Sequence, residues 1–223
     1  MIVLRNIDKS FQVGDKKIDV LKDISFKVDK AEILVVRGPS GAGKSTLLHA
    51  IGALEVPDKG EIYLEGENIY NFDEKSKAKF RNNNIGFVFQ LYYLIPELSI
   101  LENVALPLFI KRFKKEKALK RARDVLKFLQ IDHRRDHYPN QISGGEQQRA
   151  AIARALITEP KILLCDEPTG NLDSQMGEEV LKLLKSVNKN RDTTIMVVSH
   201  NSNVAAWADR ELYIKDGSIE ARE

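Results

Sequence analysis

Runs of hydrophobic residues along the first third of the chain predict short β-strands. Apolar and polar positions alternate in residues 20–28, and residues 33–36 form a continuous apolar run that suits a strand buried on both faces. The glycine-rich loop GPSGAGKST follows, and LLHAIGAL then has helical spacing. With VLRNI, GEIYLEG and IGFVF as further strands, the predicted order is strand, loop and helix in a sheet that continues.

From about residue 91 to residue 157 the strand patterns give way to helical ones. Within ALKRARDVLKFLQI, four apolar residues fall on one face of a helix: Ala122, Val125, Leu126 and Leu129. After residue 160 the α/β pattern resumes with the strands KILLCDE and TTIMVVSH, separated by the helix EEVLKLLKSVNK. A short helix with Trp207 and the strands ELYIKDG and SIEAR end the chain. We therefore predict one α/β domain, 1–223, with a core at 1–90 and 158–223 and a helical subdomain at 91–157.

Charge is distributed unevenly, although the net charge of +3 is small. The segment 111–123, KRFKKEKALKRAR, holds eight Lys/Arg against Glu116. Such a run is most often a solvated helix face and less often a patch for acidic lipid head groups or nucleic acid. Both interpretations remain open at this point.

Three further features restrict the compartment. The single cysteine, Cys165, excludes an intrachain disulfide and is expected to be a buried, inert thiol. No apolar run approaches the roughly 18 residues of a membrane span, and the apolar stretch in the N-terminal MIVLRNIDKS is too short for a signal peptide. Any action on a membrane is therefore expected from its cytoplasmic side, through a partner.

The loop GPSGAGKST has the phosphate-loop pattern, and it follows a buried strand and opens a helix. Its backbone N–H groups are expected to surround a β-phosphate, with the helix N-terminus adding to anion binding. Lys44 would reach the β- and γ-oxygens, and the Ser45 hydroxyl would ligate Mg²⁺. The predicted nucleotide-binding residues of this loop are Gly38, Ser40, Gly41, Ala42, Gly43, Lys44, Ser45 and Thr46.

Polar residues at the ends of three later strands are the candidates for chemistry. Asp166 would hold Mg²⁺, and Glu167 would polarise the attacking water. His200 closes TTIMVVSH and could contact the γ-phosphate, whereas Gln90 after IGFVF could link the metal site to the helical segment. The other histidines have no such context and are interpreted as packing or surface residues: His49, His133 and His137.

The stretch ISGGEQQR contains a second glycine-rich helix start. Ser143 and Glu146 form a capping-box pattern, which by itself predicts no more than a helix beginning here. Gly144 and Gly145 forgo up to roughly 1 kcal/mol each relative to alanine in a helix interior, so we interpret them as bare backbone for a close approach. Since the first loop already holds the chain's own nucleotide, the phosphate expected here belongs to another copy.

Together these motifs resemble the nucleotide-binding subunits of ABC ATPases over nearly the whole chain. Residues 38–46 match Walker A, Gln90 the Q-loop, 143–147 the signature, 162–166 Walker B, 171–173 the D-loop and His200 the switch histidine. The resemblance implies Glu167 as catalytic glutamate, Asp173 near the nucleotide, Gln90 at the metal and Phe11, where the family often has tyrosine, under adenine. It also implies a P-loop NTPase, RecA-like core with an antiparallel β subdomain and a helical subdomain.

The resemblance further implies function and partners. Two copies would form a head-to-tail homodimer around two ATP with Mg²⁺, at the cytoplasmic face of the inner (cell) membrane, and ATP hydrolysis would move integral membrane transporter subunits. Within the family, FVFQLYYLIPELSILENVALPL and CDEPTGNLD look most like the lipoprotein-releasing, macrolide-exporting and cell-division ATPases, and we favour lipoprotein release.

Two rival functions remain. A soluble ABC ATPase acting on nucleic acid or the ribosome usually has a long coiled-coil insert or two nucleotide domains, which do not fit in 223 residues. The basic segment 111–123 is its one support, so no nucleic acid partner is expected. A small-molecule kinase would have no use for SGGEQ.

Overall fold

The computed structural model describes residues 1–220 as two β-sheets and six α-helices. The last predicted strand, SIEAR, extends into residues 221 and 222, which lie outside the described residues. The strands are β1 (Ile2–Val13), β2 (Lys16–Val28), β3 (Ile33–Arg37), β4 (Lys59–Leu64), β5 (Glu67–Asn68), β6 (Ile85–Val88), β7 (Ile162–Asp166), β8 (Thr194–Ser199), β9 (Arg210–Lys215) and β10 (Ser218–Glu220). The helices are α1 (Lys44–Ile51), α2 (Glu74–Asn84), α3 (Ile100–Ile110), α4 (Lys115–Phe128), α5 (Gly144–Leu156) and α6 (Ser174–Arg191).

The larger sheet is mainly parallel and has the order β10-β9-β3-β8-β7-β6. Strands β3, β7 and β8 are its central neighbours, and they consist almost entirely of buried apolar residues, as the continuous runs in the sequence predicted. In the register, Arg37 is opposite Ser199 and Val198 is opposite Asp166. The loops that follow these three strands therefore begin side by side at one edge of the sheet.

The smaller sheet is antiparallel and has the order β2-β1-β4-β5. It shares a hydrophobic core with α1 and with one face of the larger sheet, including Leu34, Val36, Leu164 and Met196. The strand pair β1 and β2 is a hairpin, whereas β4 joins it from a distant part of the chain. This sheet carries Phe11.

Helices α3, α4 and α5 occupy the chain between β6 and β7, where the helical patterns were predicted. They pack on the opposite face of the larger sheet and share one continuous core with it. The four residues predicted to form one face of α4 are all buried, as is the thiol of Cys165: Ala122, Val125, Leu126 and Leu129. None of the helices in residues 1–220 is long and apolar enough to cross a membrane.

Two elements differ from the sequence-based prediction. Helix α2 was not predicted, because its sequence EKSKAKFRNNN buries no residue and so has no apolar stripe. Its one signal is Asp73, whose side chain caps the helix by accepting a hydrogen bond from the Ser76 N–H. The segment Ser202–Trp207, predicted as a short helix, is a 3₁₀ helix.

Candidate functional site

The phosphate loop leaves β3 and enters α1, as the sequence predicted. Gly43, immediately before α1, has a left-handed φ of 95°, and a Cβ there would lie 2.6 Å from the Val20 carbonyl oxygen. Only glycine fits both conditions. Ser40, Gly41 and Ser45 are exposed, so the concave side of the loop and the start of the helix are open to a ligand.

The Lys44 side chain is buried and folds back over its own loop. Its Nζ donates hydrogen bonds of 2.9 Å to the carbonyl oxygens of Gly38 and Pro39. These bonds hold an ammonium group beside the open amides of the loop. A cation next to several N–H donors forms an anion-binding site that suits the phosphates of a nucleotide.

Ser45 and Asp166 meet beneath this loop. The Ser45 hydroxyl donates a 3.0 Å hydrogen bond to Asp166 Oδ1, and Asp166 Oδ2 lies 4.0 Å from His49 Nε2. Burial raises the pKa of the Asp166 carboxyl, an effect that the hydrogen bond from Ser45 opposes. His49, interpreted from sequence as a packing or surface residue, thus lies next to a predicted metal ligand. Its position one helical turn after Ser45 could have indicated this.

Glu167 follows Asp166 and turns toward the end of β8. It has a left-handed φ of 45°, and both of its carboxylate oxygens are occupied. Oε2 accepts a 2.9 Å hydrogen bond from the Ser199 hydroxyl, and Oε1 accepts one of 2.9 Å from the His200 N–H, with His200 Nδ1 at 2.8 Å. A fixed carboxylate paired with an imidazole is suited to accept a proton from a water molecule.

Gln90 lies two residues beyond the end of β6, next to the turn that follows Glu167. Its backbone oxygen accepts a 2.8 Å hydrogen bond from Asn171, and its side-chain Nε2 lies 3.0 Å from where a Cβ on Gly170 would stand. The structure therefore joins Gln90 to this turn.

The segment 143–146 begins α5 with the predicted capping box. Ser143 Oγ accepts from the Glu146 N–H at 3.3 Å, and Glu146 Oε2 accepts from the Ser143 N–H at 2.8 Å. Among the described residues, no hydrogen bond or ion pair joins this segment to loop 38–46. Ser143 is exposed on the single chain, whereas Gly144 and Glu146 are half-buried and Gly145 is buried.

The two glycines of this segment also have neighbours within the chain. A Cβ on Gly144 would lie 3.2 Å from the Tyr92 hydroxyl, and one on Gly145 would lie 3.0 Å from the Met176 sulfur. Close packing against Tyr92, in residues 90–98 (the Q-loop segment), and against Met176 of α6 is thus a further reason for glycine here.

Two other predicted site residues lie at the margins. Phe11 is 37% exposed on β1, and the Lys9 Nζ stands 5.0 Å from the centre of its ring. Asp173 is the N-cap of α6, where its side chain accepts from the Met176 N–H at 2.9 Å. An exposed aromatic ring is free to stack on a base, whereas the Asp173 carboxylate has a structural bond of its own.

The donor set fits ATP and a magnesium ion. Ser45 Oγ and Asp166 Oδ1 are hard oxygen atoms that already converge, and Mg²⁺ is commonly held by one or two protein oxygens together with phosphates and water. In residues 1–220 no group of three or more His, Cys, Asp or Glu could hold a metal ion without such help. Gln90, whose backbone oxygen is hydrogen-bonded to the turn after β7, adds a side-chain amide oxygen of the same chemical kind.

Comparison with known proteins gives a match over most of the chain. Residues 21–170 match the ABC transporter family. The chain is similar to an uncharacterized ABC transporter ATP-binding protein of Methanocaldococcus jannaschii, at 44% identity over 100% of this chain and 97% of the relative. It is similar also to the lipoprotein-releasing system ATP-binding protein LolD of Shewanella denitrificans, at 44% identity over 100% of this chain and 96% of the relative.

Solved structures give the same result. The dimeric structure of the Methanocaldococcus jannaschii cassette superposes with a TM-score of 0.93 at 44% identity, covering 100% of this chain and 98% of the other. A dimeric post-hydrolysis state of that cassette, bound to ADP and Pi, gives a TM-score of 0.93 at 43% identity with the same coverage. The α/β fold predicted from the sequence is therefore confirmed.

Proposed function

Because the chain belongs to the ABC transporter family and is one of its ATP-hydrolysing subunits, we propose that two copies close head to tail around two ATP molecules. Each nucleotide would lie between loop 38–46 of one copy and the α5 start, 143–146, of the other. One observation carries this proposal. Ser143, which caps this helix start, is exposed on the single chain, and segment 143–146 makes no hydrogen bond to its own phosphate loop. The dimeric state of a 44% identical cassette supports it.

Within this site we propose the following roles. Lys44 and the amides of loop 38–46 bind the phosphates, and Phe11 stacks on the base. A magnesium ion held by Ser45 and Asp166, with Gln90 beside them, would supply Lewis-acid charge at the phosphate oxygens. These groups hold the γ-phosphate in place for attack by water.

Glu167 is proposed as the general base. It accepts a proton from the attacking water at Oε1 or Oε2, and Ser199 and His200 orient its carboxylate. His200 is exposed, so it can also contact the γ-phosphate. Ser143 and the Gly145 amide would bind that phosphate from the opposite copy.

We propose that a membrane partner docks in a groove beside Gln90. Phe87, Phe89, Leu106, Pro107 and Arg154 line a cavity of about 280 Å³ between β6, α3 and α5. Apolar walls with one cation suit a short helix of an integral membrane subunit.

We place the chain at the cytoplasmic face of the cell membrane. Residues 91–157 are proposed as the helical unit whose movement carries this groove and the membrane subunit bound in it. The LolD relatives support lipoprotein release as the process, with macrolide-type export or cell division as alternatives.

The test is the variant Glu167→Gln. We expect it to bind ATP, to lose hydrolysis by about 10²- to 10⁴-fold, and to accumulate as a closed dimer with MgATP, because the proton acceptor is missing while the binding groups remain. Sedimentation velocity with and without MgATP measures the dimer. Glu116→Gln, on the exposed face of α4, is the matched control and should behave as the unmodified chain. A Glu167→Gln chain that stays monomeric at saturating MgATP would refute the proposed dimer.

A further inference from the structure

Glu146 places a carboxylate in the first turn of α5, where the proposed function expects a phosphate of the partner's nucleotide. Its side chain is 22% exposed, and both oxygens are bonded within the chain. Oε2 accepts from the Ser143 N–H at 2.8 Å, and Oε1 accepts from Arg134 Nε at 2.8 Å. His133 Nε2 lies 3.4 Å from the same Oε1.

A carboxylate at this place has two opposite effects. It stabilises α5 by capping the helix and complementing its dipole. It also puts a negative charge next to the amides that would bind a phosphate, and two anions at short range repel each other. Unless a cation balances this charge, the capping glutamate weakens the site it helps to build.

Arg134 is the cation placed to balance it. It ends the 3₁₀ turn Asp132–Arg134, and its guanidinium also lies near His137, with Nη1 3.4 Å from His137 Nε2. The neighbouring acid, Asp132, is paired with Arg123 at 3.4 Å and Arg135 at 3.3 Å, so Arg134 is left to Glu146. Although burial acts to raise it, the hydrogen bonds from Arg134 and Ser143 lower the pKa of Glu146 to about 2.

We propose that Arg134 is a positioning residue for the partner's nucleotide. Its guanidinium neutralises Glu146 and holds that carboxylate back against the Ser143 backbone. The Ser143 hydroxyl oxygen accepts from the Glu146 N–H, so its own hydrogen stays free to donate to the partner's phosphate. This inference rests on the proposed head-to-tail dimer.

The experiment measures ATP-driven dimerisation in the Glu167→Gln background, by sedimentation velocity over a titration of MgATP. Arg134→Met should raise the ATP concentration for half-maximal dimerisation roughly tenfold, because a carboxylate that has lost its guanidinium partner then faces the triphosphate. The defect should grow as the salt concentration is lowered, since screening weakens. Binding of ATP to the isolated monomer should not change, because loop 38–46 is untouched.

The double variant Arg134→Met, Glu146→Gln separates charge from packing. If Arg134 acts by neutralising Glu146, removing both charges should return the half-maximal concentration to within about twofold of the parent. Arg134→Lys should restore part of the affinity, because a lysine keeps the charge without the fixed Nε geometry. Melting curves of each variant verify folding.

The contrary results are distinct. Equal dimerisation of Arg134→Met and the parent would overturn the inference while leaving the dimer intact. A double variant as defective as Arg134→Met would overturn it also, since Arg134 would then act through packing. A Glu167→Gln parent that does not dimerise would refute the proposed function, and this inference with it.

Discussion

Asp166 is a residue of the candidate site whose carboxyl group is largely buried, although burial disfavours its charged form. The carboxyl is largely withdrawn from water between α1 and β8, and burial raises its pKa. In a carboxyl of this kind the folded chain holds its proton to higher pH than the unfolded chain does. Stability therefore falls as pH rises from the unfolded pKa of about 3.9 through the folded value, because ionising this carboxyl costs more free energy in the folded chain than in the unfolded one.

Asp166→Asn should therefore stabilise the nucleotide-free chain while removing hydrolysis. The amide oxygen can still accept from Ser45, but no charge has to be buried, so we expect the melting temperature at pH 7 to rise by roughly 1–3 °C. The gain should shrink as pH approaches 4. Thermal melts from pH 4 to pH 8 measure it, and Asp124→Asn on the exposed face of α4 is the control. A lower melting temperature at pH 7 would contradict the claim that the buried charge of Asp166 destabilises the nucleotide-free chain.

Individual side chains were predictable from sequence where a motif fixes their place. Lys44, Ser45 and Asp166 follow from the order strand, loop, helix and strand, because that order determines which strand ends meet. Tyr92 was not identified, since its proximity to Gly144 depends on side-chain directions across elements far apart in sequence. His49 was interpreted as a packing or surface residue, although its position one helical turn after Ser45 is a local signal for its place beside Asp166. The pairing of Arg134 with Glu146 joins residues close in sequence, but it depends on side-chain directions that no motif contains.

Helix α5 connects the candidate site to the groove. At its start lies the capping box, in its second turn Gln148 donates a 2.7 Å hydrogen bond to the Pro168 carbonyl, and toward its end Arg154 reaches the Q-loop segment. The Arg154 guanidinium donates to the carbonyl oxygens of Tyr93 at 2.5 Å and Tyr92 at 2.6 Å. Both tyrosines have a left-handed φ, a conformation that costs free energy and needs such external support.

Arg154→Met should release this segment. Two charge-assisted hydrogen bonds are lost, so the backbone amides of residues 91–98 should exchange with solvent roughly tenfold faster or more, while the exchange of β7 and β8 stays as it was. Hydrogen–deuterium exchange with mass spectrometry measures both. The control is Arg123→Met on α4, which pairs with Asp132 and not with the Q-loop segment. Unchanged exchange in residues 91–98 would show that packing, not Arg154, holds them.

Elements were predictable in proportion to their burial. The strands β3, β7 and β8 and the apolar face of α4 were recognised because their buried residues follow one period. Helix α2 buries no residue, so no period marks it. The pairing of β4 with β1 and the order of the larger sheet join segments far apart in sequence, and no local pattern contains that information.

Over the whole molecule, charge is as unevenly distributed as the sequence indicated. Much of the basic segment 111–123 lies on the exposed face of α4, where Arg121 pairs with Glu159 at 2.5 Å and Arg123 with Asp132 at 3.4 Å. Burial, with the nearby Arg121 adding to it, lowers the pKa of Lys111. Part of the run is thus neutralised within the chain, and the exposed lysines are the part available to an anionic surface.

An affinity pull-down distinguishes the functions proposed for the whole chain. Tagged Glu167→Gln with MgATP, mixed with detergent-solubilised membranes of the native cell, should recover integral membrane proteins if, as we propose, the closed dimer engages them. Leu106→Asp, which places a charge in the groove, should reduce that recovery without affecting dimerisation. Recovery of nucleic acid with a steep salt dependence, and of no membrane protein, would instead favour the soluble ABC ATPase and make 111–123 its binding surface.

The order of the larger sheet also determines when, during translation, the strands that pair with β3 become available. Strand β3, which carries the phosphate loop, pairs with β8 and β9 and with no strand made earlier. Its partner β8 leaves the ribosome roughly 160 residues later, about 10–30 s at ordinary rates of translation. Until then the loop has no completed sheet beneath it. We therefore expect a nascent chain to bind nucleotide only after β8 has been made, and its apolar strand β3 to stay without its sheet partners during that interval.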